Sequence, residues 1–255
     1  MPKKRKRATA AAPTAHAEPP APADAVPATS AAAAPADAES AASVDDARLV
    51  ALETLFAAAG DGYALSREAK RKQRENSVFL DGIQYGEVSI SSFAAALAWV
   101  RPQPGETFVD VGSGVGKAVL AAAMLHPLEA AIGIEILDDL HDAAERALAA
   151  ARRPRAPCGP LAARRVELRR ADALAPPVAW ADDADVVFCT TTCFTPEMRA
   201  AFVRGAERLR VGARVIVTTA PLESARFRLL RSERLPYGKG SLLFFAYERT
   251  SGGDG

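Results

Sequence analysis

The sequence predicts a doubly wound, Rossmann-like α/β sheet of seven strands, and three observations carry that prediction. The first is the apolar run Phe108-Val109-Asp110-Val111, which passes straight into glycines at alternate positions, Gly112, Gly114 and Gly116. An Ala- and Leu-rich stretch over residues 118–125 follows at once. Strand, glycine turn and helix in that order open a nucleotide-binding βαβ unit. The second observation is that short β-branched runs alternate with helical periodicity as far as residue 218, which is the pattern of parallel strands joined by crossover helices. The third is that polar residues (Glu135, Asp172 and the run Thr190-Thr191-Thr192) stand just past predicted strands. In an open α/β sheet that is the carboxyl edge, where ligands bind.

Taken in order, residues 1–44 hold the basic pentad Lys3-Lys4-Arg5-Lys6-Arg7 and then mostly Ala, Pro, Thr and Ser. So few large apolar groups cannot offset the entropy of ordering, and a disordered tail is expected. A helical lobe is expected over 45–104. Residues 47–59 show helical apolar spacing (Leu49, Val50, Leu52, Leu55, Phe56) and stop at Gly60-Asp61-Gly62. Residues 66–76 carry Arg67, Lys70, Arg71, Lys72 and Arg74, either a solvated helix face or a surface that meets nucleic acid or an acidic partner. Residues 90–100 form a helix with Phe93, Leu97 and Val100 on one face, ended by Pro102 and Pro104.

The core domain is expected over 105–250. After the glycine loop, residues 131–136 read as a second strand and 138–152 as a helix with Leu140, Ala144 and Leu148 inward. A Pro- and Arg-rich loop over 152–165 leads into a third strand, 166–170, and a fourth follows at 185–189. Residues 196–209 form a helix, Gly212 turns the chain into a strand at 214–218, and residues 224–249 read as two antiparallel strands.

The spacing of the glycine loop selects its chemistry. A phosphate-binding P-loop needs G-x-x-x-x-G-K-[ST], but around Gly116-Lys117 the required Gly and hydroxyl positions hold Val111 and Ala118. The dinucleotide pattern G-x-G-x-x-G is also missed, since Gly112, Gly114 and Gly116 read G-x-G-x-G. Asp110, two residues ahead of the first glycine, would repel a pyrophosphate. It suits a cationic ligand, the amino group and sulfonium of S-adenosylmethionine. Glu135 lies 19 positions past Gly116, near the distance at which an acid holds ribose hydroxyls. Asp172 and Ala173 follow the third strand, where a carboxylate can accept from an adenine amino group. The expected donor contacts are therefore Asp110, Gly112, Ser113, Gly114, Gly116, Lys117, Glu135, Asp172, Ala173 and Thr190.

Bulk properties narrow the partners. Formal net charge is +1, so no global field draws the chain to nucleic acid or membrane. No apolar run reaches the roughly 18–20 residues of a membrane helix, and no membrane partner is expected. Cys158, Cys189 and Cys193 form an odd, sparse set without metal-ligand spacing, His16, His126 and His141 are scattered, and no metal is expected. Cys189, in a predicted core strand, reads as packing. The Lys3 to Arg7 run resembles a nuclear localisation signal read by importin, or a tether to phosphate backbone.

Beyond the general class, Tyr85-Gly86-Glu87 a helix ahead of Phe108-Val109-Asp110-Val111-Gly112-Ser113-Gly114-Val115-Gly116 resembles the DOT1-like, non-SET histone lysine methyltransferases. Gly133-Ile134-Glu135, the segment from Val187 to Glu197 and the run from Gly212 to Val217 resemble that family too. The resemblance covers roughly residues 76–249. It implies S-adenosylmethionine as donor and a protein lysine as acceptor, on histone H3 of the nucleosome, in the nucleus. It also implies that Tyr85 and Glu87 cover the methionine end of the donor, and that Thr190 and Thr191 stand where the family has paired asparagines beside the lysine channel. Tyr85 and Thr191 are then the residues that orient the acceptor amine. Val88, Lys117, Thr190, Thr191, Pro236-Tyr237 and Leu243-Phe244 depart from the family's pattern. Those departures lie mostly on the acceptor side, which keeps alternatives open: methylation of RNA or a small molecule, or a non-catalytic chromatin protein that binds the donor. Few aromatics (6%) count against base stacking on RNA.

Overall fold

The computed structural model describes residues 36–59, 62–75, 86, 88–175, 180–237 and 240–252. The Lys3 to Arg7 run and the greater part of the expected tail lie outside the described residues. Helix α1 spans Ala36–Ala59, so helix reaches back into the 1–44 segment read as disordered. Alanine is the best helix former, and residues 36–44 are rich in it. Helix α2 (Gly62–Glu75) holds the basic cluster, within which the guanidinium of Arg71 pairs with Glu68 at 2.6 Å. Helix α3 (Ile90–Val100) starts where the Ser89 hydroxyl accepts from Ser92 N–H at 3.2 Å, and it stops at Arg101 with φ 46°, ahead of Pro102.

The remaining elements alternate as expected: β1 (Thr107–Val111), α4 (Lys117–Leu125), β2 (Ala130–Glu135), α5 (Asp138–Ala151), β3 (Arg165–Arg170). They continue with α6 (Trp180–Asp183), β4 (Val186–Cys189), a 3-10 turn (Thr191–Cys193), α7 (Pro196–Ala206), β5 (Arg214–Thr218), β6 (Phe227–Tyr237) and β7 (Gly240–Arg249). The short α6 and the 3-10 turn are too brief to leave a periodicity in sequence.

The seven strands among the described residues form one sheet in the order β3-β2-β1-β4-β5-β7-β6. Strands β1 to β5 pair in parallel, and β7 inserts antiparallel between β5 and β6. Successive residues of β1 feed opposite faces, as a pleated strand requires. Phe108 joins the layer made by α1, α3, α4 and α5, whereas Val109 and Val111 join the layer made by α6 and α7. Phe93 of α3 meets Phe108 and Phe188 edge-on, with ring centroids 5.7 and 5.0 Å apart. Both faces are thereby covered, the condition under which parallel strands are stable and read as apolar runs. At the amino edge, Arg214 donates to Glu106 at 2.9 Å and to the Val100 carbonyl at 3.2 Å, which ties the end of α3 to β5.

Candidate functional site

The order reversal between β1 and β4 leaves a crevice at the carboxyl edge, where open α/β sheets take their ligands. The loop from Gly112 to Gly116 fills one side of it. Its three glycines have φ of 81°, 55° and 85°, values that put any side chain in the left-handed region. Gly112 and Ser113 N–H groups both donate to the Ile134 carbonyl, at 2.9 and 3.0 Å, which folds the loop back over the end of β2. Gly116 closes the turn on the Ser113 carbonyl at 2.8 Å and caps α4, whose first N–H groups point into the crevice edge.

Two carboxylates lie behind the loop. Asp110, 3% exposed, sits in β1 between Gly133 and Phe188. Burial pushes its carboxyl well above the usual range, and the like charge of Glu135 adds to this. Glu135, 7% exposed at the end of β2, accepts from Gly114 N–H and from Leu137 N–H, each at 2.8 Å. Burial raises its pKa too, against the pull of those N–H groups. A pair of acids that share a desolvated wall repels anions and is relieved by a cation. The same wall acts on Cys189: burial first and Asp110 second push its thiol up, so it stays a packed thiol in the core.

Past β3, Asp172 is exposed and its Oδ1 accepts from Leu174 N–H at 2.8 Å. The Ala173 carbonyl accepts from Trp180 Nε1 at 2.9 Å, and Trp180 stacks on Phe202 with centroids 5.8 Å apart. This fixes the Asp172 turn to the β4 side of the sheet. The Thr run follows β4. Thr190 is half-buried beside the crevice, whereas Thr191 is 4% exposed and donates its hydroxyl to the Thr218 carbonyl. Thr192 and Thr219 hydroxyls lie 2.8 Å apart. Thr191 therefore fastens the β4 loop to the end of β5, and its hydroxyl is turned into the wall.

Lys117, expected at the ligand, is placed against α1. Its ammonium lies 3.3 Å from Glu53 of α1 and over the Phe56 ring, 5.8 Å from the centroid. The other Glu53 oxygen accepts from Ile90 N–H at 2.8 Å, so one glutamate joins α1, α3 and the start of α4. Tyr85 and Glu87 lie outside the described residues. Between them, a Cβ on Gly86 would collide with the Tyr237 hydroxyl, which accounts for the glycine and sets Gly86 against the end of β6.

Sequence reasoning missed Thr218, Thr219 and Glu53. Thr218 is fully buried and Thr219 has φ 71°, rare for a β-branched residue. A signal was present for the first two, since β5 ends in consecutive threonines just as β4 is followed by them. Glu53 left none, because its partners are 37 and 64 residues away. Among the described residues no group of three or more His, Cys, Asp or Glu is placed to hold a metal ion, and no helix is long and apolar enough to cross a membrane.

Comparison with known proteins adds the family. In Drosophila melanogaster, a protein named histone-lysine N-methyltransferase, H3 lysine-79 specific, is 44% identical over 62 residues. That stretch is 24% of this chain and only 3% of the fly protein. The structure of TrmN from Thermus thermophilus matches with a TM-score of 0.50 at 20% identity, covering 66% of this chain and 51% of that one. An RNA methyltransferase from Salinibacter ruber, solved with S-adenosyl-L-homocysteine, matches at 0.48 and 22% identity, covering 65% of this chain and 94% of that one. At such identities TrmN speaks for the doubly wound fold alone. The profile of the family described as histone methylation protein DOT1 matches residues 67–235, from α2 through the glycine loop to β6, and this chain belongs to that family.

Proposed function

We propose that this chain is an S-adenosylmethionine-dependent methyltransferase that transfers a methyl group to a protein lysine, with histone H3 as the acceptor. The observation that carries the reading is the buried pair Asp110 and Glu135 behind a three-glycine loop, in a chain of the DOT1 family. A desolvated acidic wall under a backbone cradle fits a ligand with a sulfonium and an ammonium and disfavours a pyrophosphate.

The bound donor would supply an already activated methyl group. The protein's part is alignment and exclusion of water. Gly112, Ser113, Gly114 and Gly116 form the cradle, and Asp110 faces the donor's positive end from below it. Glu135, already held by two N–H groups, accepts from the ribose hydroxyls with its remaining lone pairs. Asp172 and Ala173 take the adenine edge. Tyr85 and Glu87 close the methionine end, and Thr190 flanks the methyl group. Thr191 acts on the acceptor through the wall it fastens, and Lys117 through the helix it joins to α1. A lysine acceptor (ordinary pKa about 10.4) loses its proton before attack, and an apolar channel favours the neutral amine. In this reading the protein works in the nucleus on chromatin, importin reads Lys3 to Arg7, and Arg67 to Arg74 meet nucleic acid.

The test is transfer from labelled S-adenosylmethionine to nucleosomes, free histones and RNA. Label on histone lysine is expected, and label on RNA alone would sink the lysine reading. Gly114→Arg should abolish donor binding in calorimetry, whereas retained binding would mean that the cradle is misread.

A further inference from the structure

We infer that β6 is the contact edge of a symmetric dimer, in which it pairs antiparallel with β6 of a second copy of this chain. The strand stands last in the sheet order, and among the described residues it has a neighbour, β7, on one side only. Its outer row of N–H and C=O groups is a template for another strand. Seven consecutive residues, Arg228 to Arg234, are exposed, so neither face of the strand is fully covered there. Leu229 and Leu230 lie in that stretch, 49% and 37% exposed, two adjacent large apolar side chains that the single chain leaves in water.

The α3 side of the edge is open as well. A cleft of about 450 Å³ runs between that helix and β6, lined by Ala95, Ala98, Trp99, Arg101, Leu230 and Arg231. The Arg231 guanidinium lies over the Trp99 ring, 4.9 Å from its centroid, and its Nε donates to Glu233 at 3.0 Å. Cation and carboxylate thus stand side by side on one face of the edge, two residues apart as strand alternation requires.

Charge selects the partner and its register. Opposed residues of an antiparallel pair share a face, so the axis of a symmetric pair passes through a residue and not between two. Past the bulge between Leu229 and Arg231, the exposed residues available to the axis are Arg231, Ser232, Glu233 and Arg234. An axis through Arg231, Glu233 or Arg234 sets that charge against its own copy, which is destabilising. An axis through Ser232 sets Arg231 of each copy against Glu233 of the other, giving two opposite-charge pairs. The same charges that discourage a foreign strand therefore admit a second copy in one register. Such an axis stands perpendicular to the sheet, so both α3 helices lie on one face and the two Trp99 clefts border the four charges.

The experiment is sedimentation of the full chain, and the parent should dimerise. Arg231→Glu and Glu233→Arg each turn two attractive pairs into two repulsive ones and should weaken association about 30-fold. An equimolar mixture of the two variants sets a glutamate opposite an arginine at both positions, and association should return toward the parent's. Within each variant chain residues 231 and 233 still repel, so a loss caused by the broken intrachain pair would persist in the mixture. Arg231→Glu/Glu233→Arg in a single chain reverses both charges and should dimerise like the parent. A parent that is monomeric at about 0.1 mM overturns the inference. A dimer that neither single variant weakens, or that neither the mixture nor the double variant restores, overturns it as well and assigns the contact to another face.

Discussion

Gly133→Ala should loosen the donor cradle from behind, although residue 133 faces no ligand. A Cβ at this position would lie 2.8 Å from Ser113 Oγ, 2.8 Å from Val119 Cγ2 and 3.0 Å from Leu168 Cδ2. The loop, α4 and β3 thus close on it from three sides, and no direction is open for relief. Overpacking of this kind costs about 1–3 kcal/mol. Alanine recovers about 0.5–1 kcal/mol of that through its smaller entropy loss in a strand, which leaves a net loss of about 1.3 kcal/mol at mid-range and at most about 2.5 kcal/mol. Melting should fall by about 2–8 °C for a domain of this size. The Ser113 side chain is the smallest of the three obstacles, so the loop moves most. If about 1.4 kcal/mol of strain reaches it, donor affinity falls about tenfold. Gly112→Ala is the matched comparison: its Cβ would meet nothing within 4 Å, and only its φ of 81° is penalised, at about 1–2 kcal/mol. Adding Val119→Ala should restore part of the stability lost in Gly133→Ala but none of that lost in Gly112→Ala, with a coupling of at least about 0.5 kcal/mol in a double-mutant cycle. Urea unfolding and calorimetry on the parent, the three single variants and the two double variants read both effects. Parental stability and donor affinity in Gly133→Ala would refute the packing argument.

Two further outcomes follow from the same site. Asp110 has a raised pKa in the folded chain, so its stabilising protonated form is fully present at pH below the unfolded value and is lost as pH rises through the folded one. Asp110→Asn should therefore make the ligand-free protein more stable than the parent at neutral and higher pH in urea titrations, while weakening S-adenosylmethionine; a parallel loss of stability at every pH would contradict this. Thr191→Val removes the hydroxyl that donates to the Thr218 carbonyl, which keeps Ala220 N–H at 2.8 Å, so the loss is that of one buried hydrogen bond, about 0.5–1.5 kcal/mol. Its effect on transfer should appear in acceptor KM with donor affinity kept, and an unchanged melting temperature would mean that the hydroxyl is not fastened as described.

Much of the sheet was legible in sequence because its central strands are buried on both faces. Phe108 to Val111 and Val186 to Cys189 are short, largely apolar runs; the first passes into the glycine loop and the second into Thr190, both on the ligand edge. The glycine loop was legible for a similar reason, since its backbone needs left-handed angles that glycine adopts without penalty. What the site does with its polar groups was not legible. Lys117 follows the loop directly, yet its charge is claimed by Glu53, 64 residues earlier, across a helix packing that no local pattern encodes. Thr191 looked like an acceptor contact because it stands where the resembling family has an asparagine, but Thr218 and Thr219 close β5, and the two threonine runs fasten to each other. The helix from Ala36 was missed because an Ala-rich stretch with no apolar stripe can be read as tail as readily as helix.

The place of β7 in the sheet sets an order of events during synthesis. Strand β5 gains its second neighbour only when residues 240–249 arrive, although β5 itself is complete at Thr218. Until then Val215 and Val217 stand on an open edge of apolar residues, a template for pairing with another chain. A chain that stops between residues 218 and 240 thus carries the glycine loop, both buried acids and the threonine run, yet keeps one adhesive border. Edge-to-edge pairing between nascent chains is favoured in the interval before the last hairpin closes.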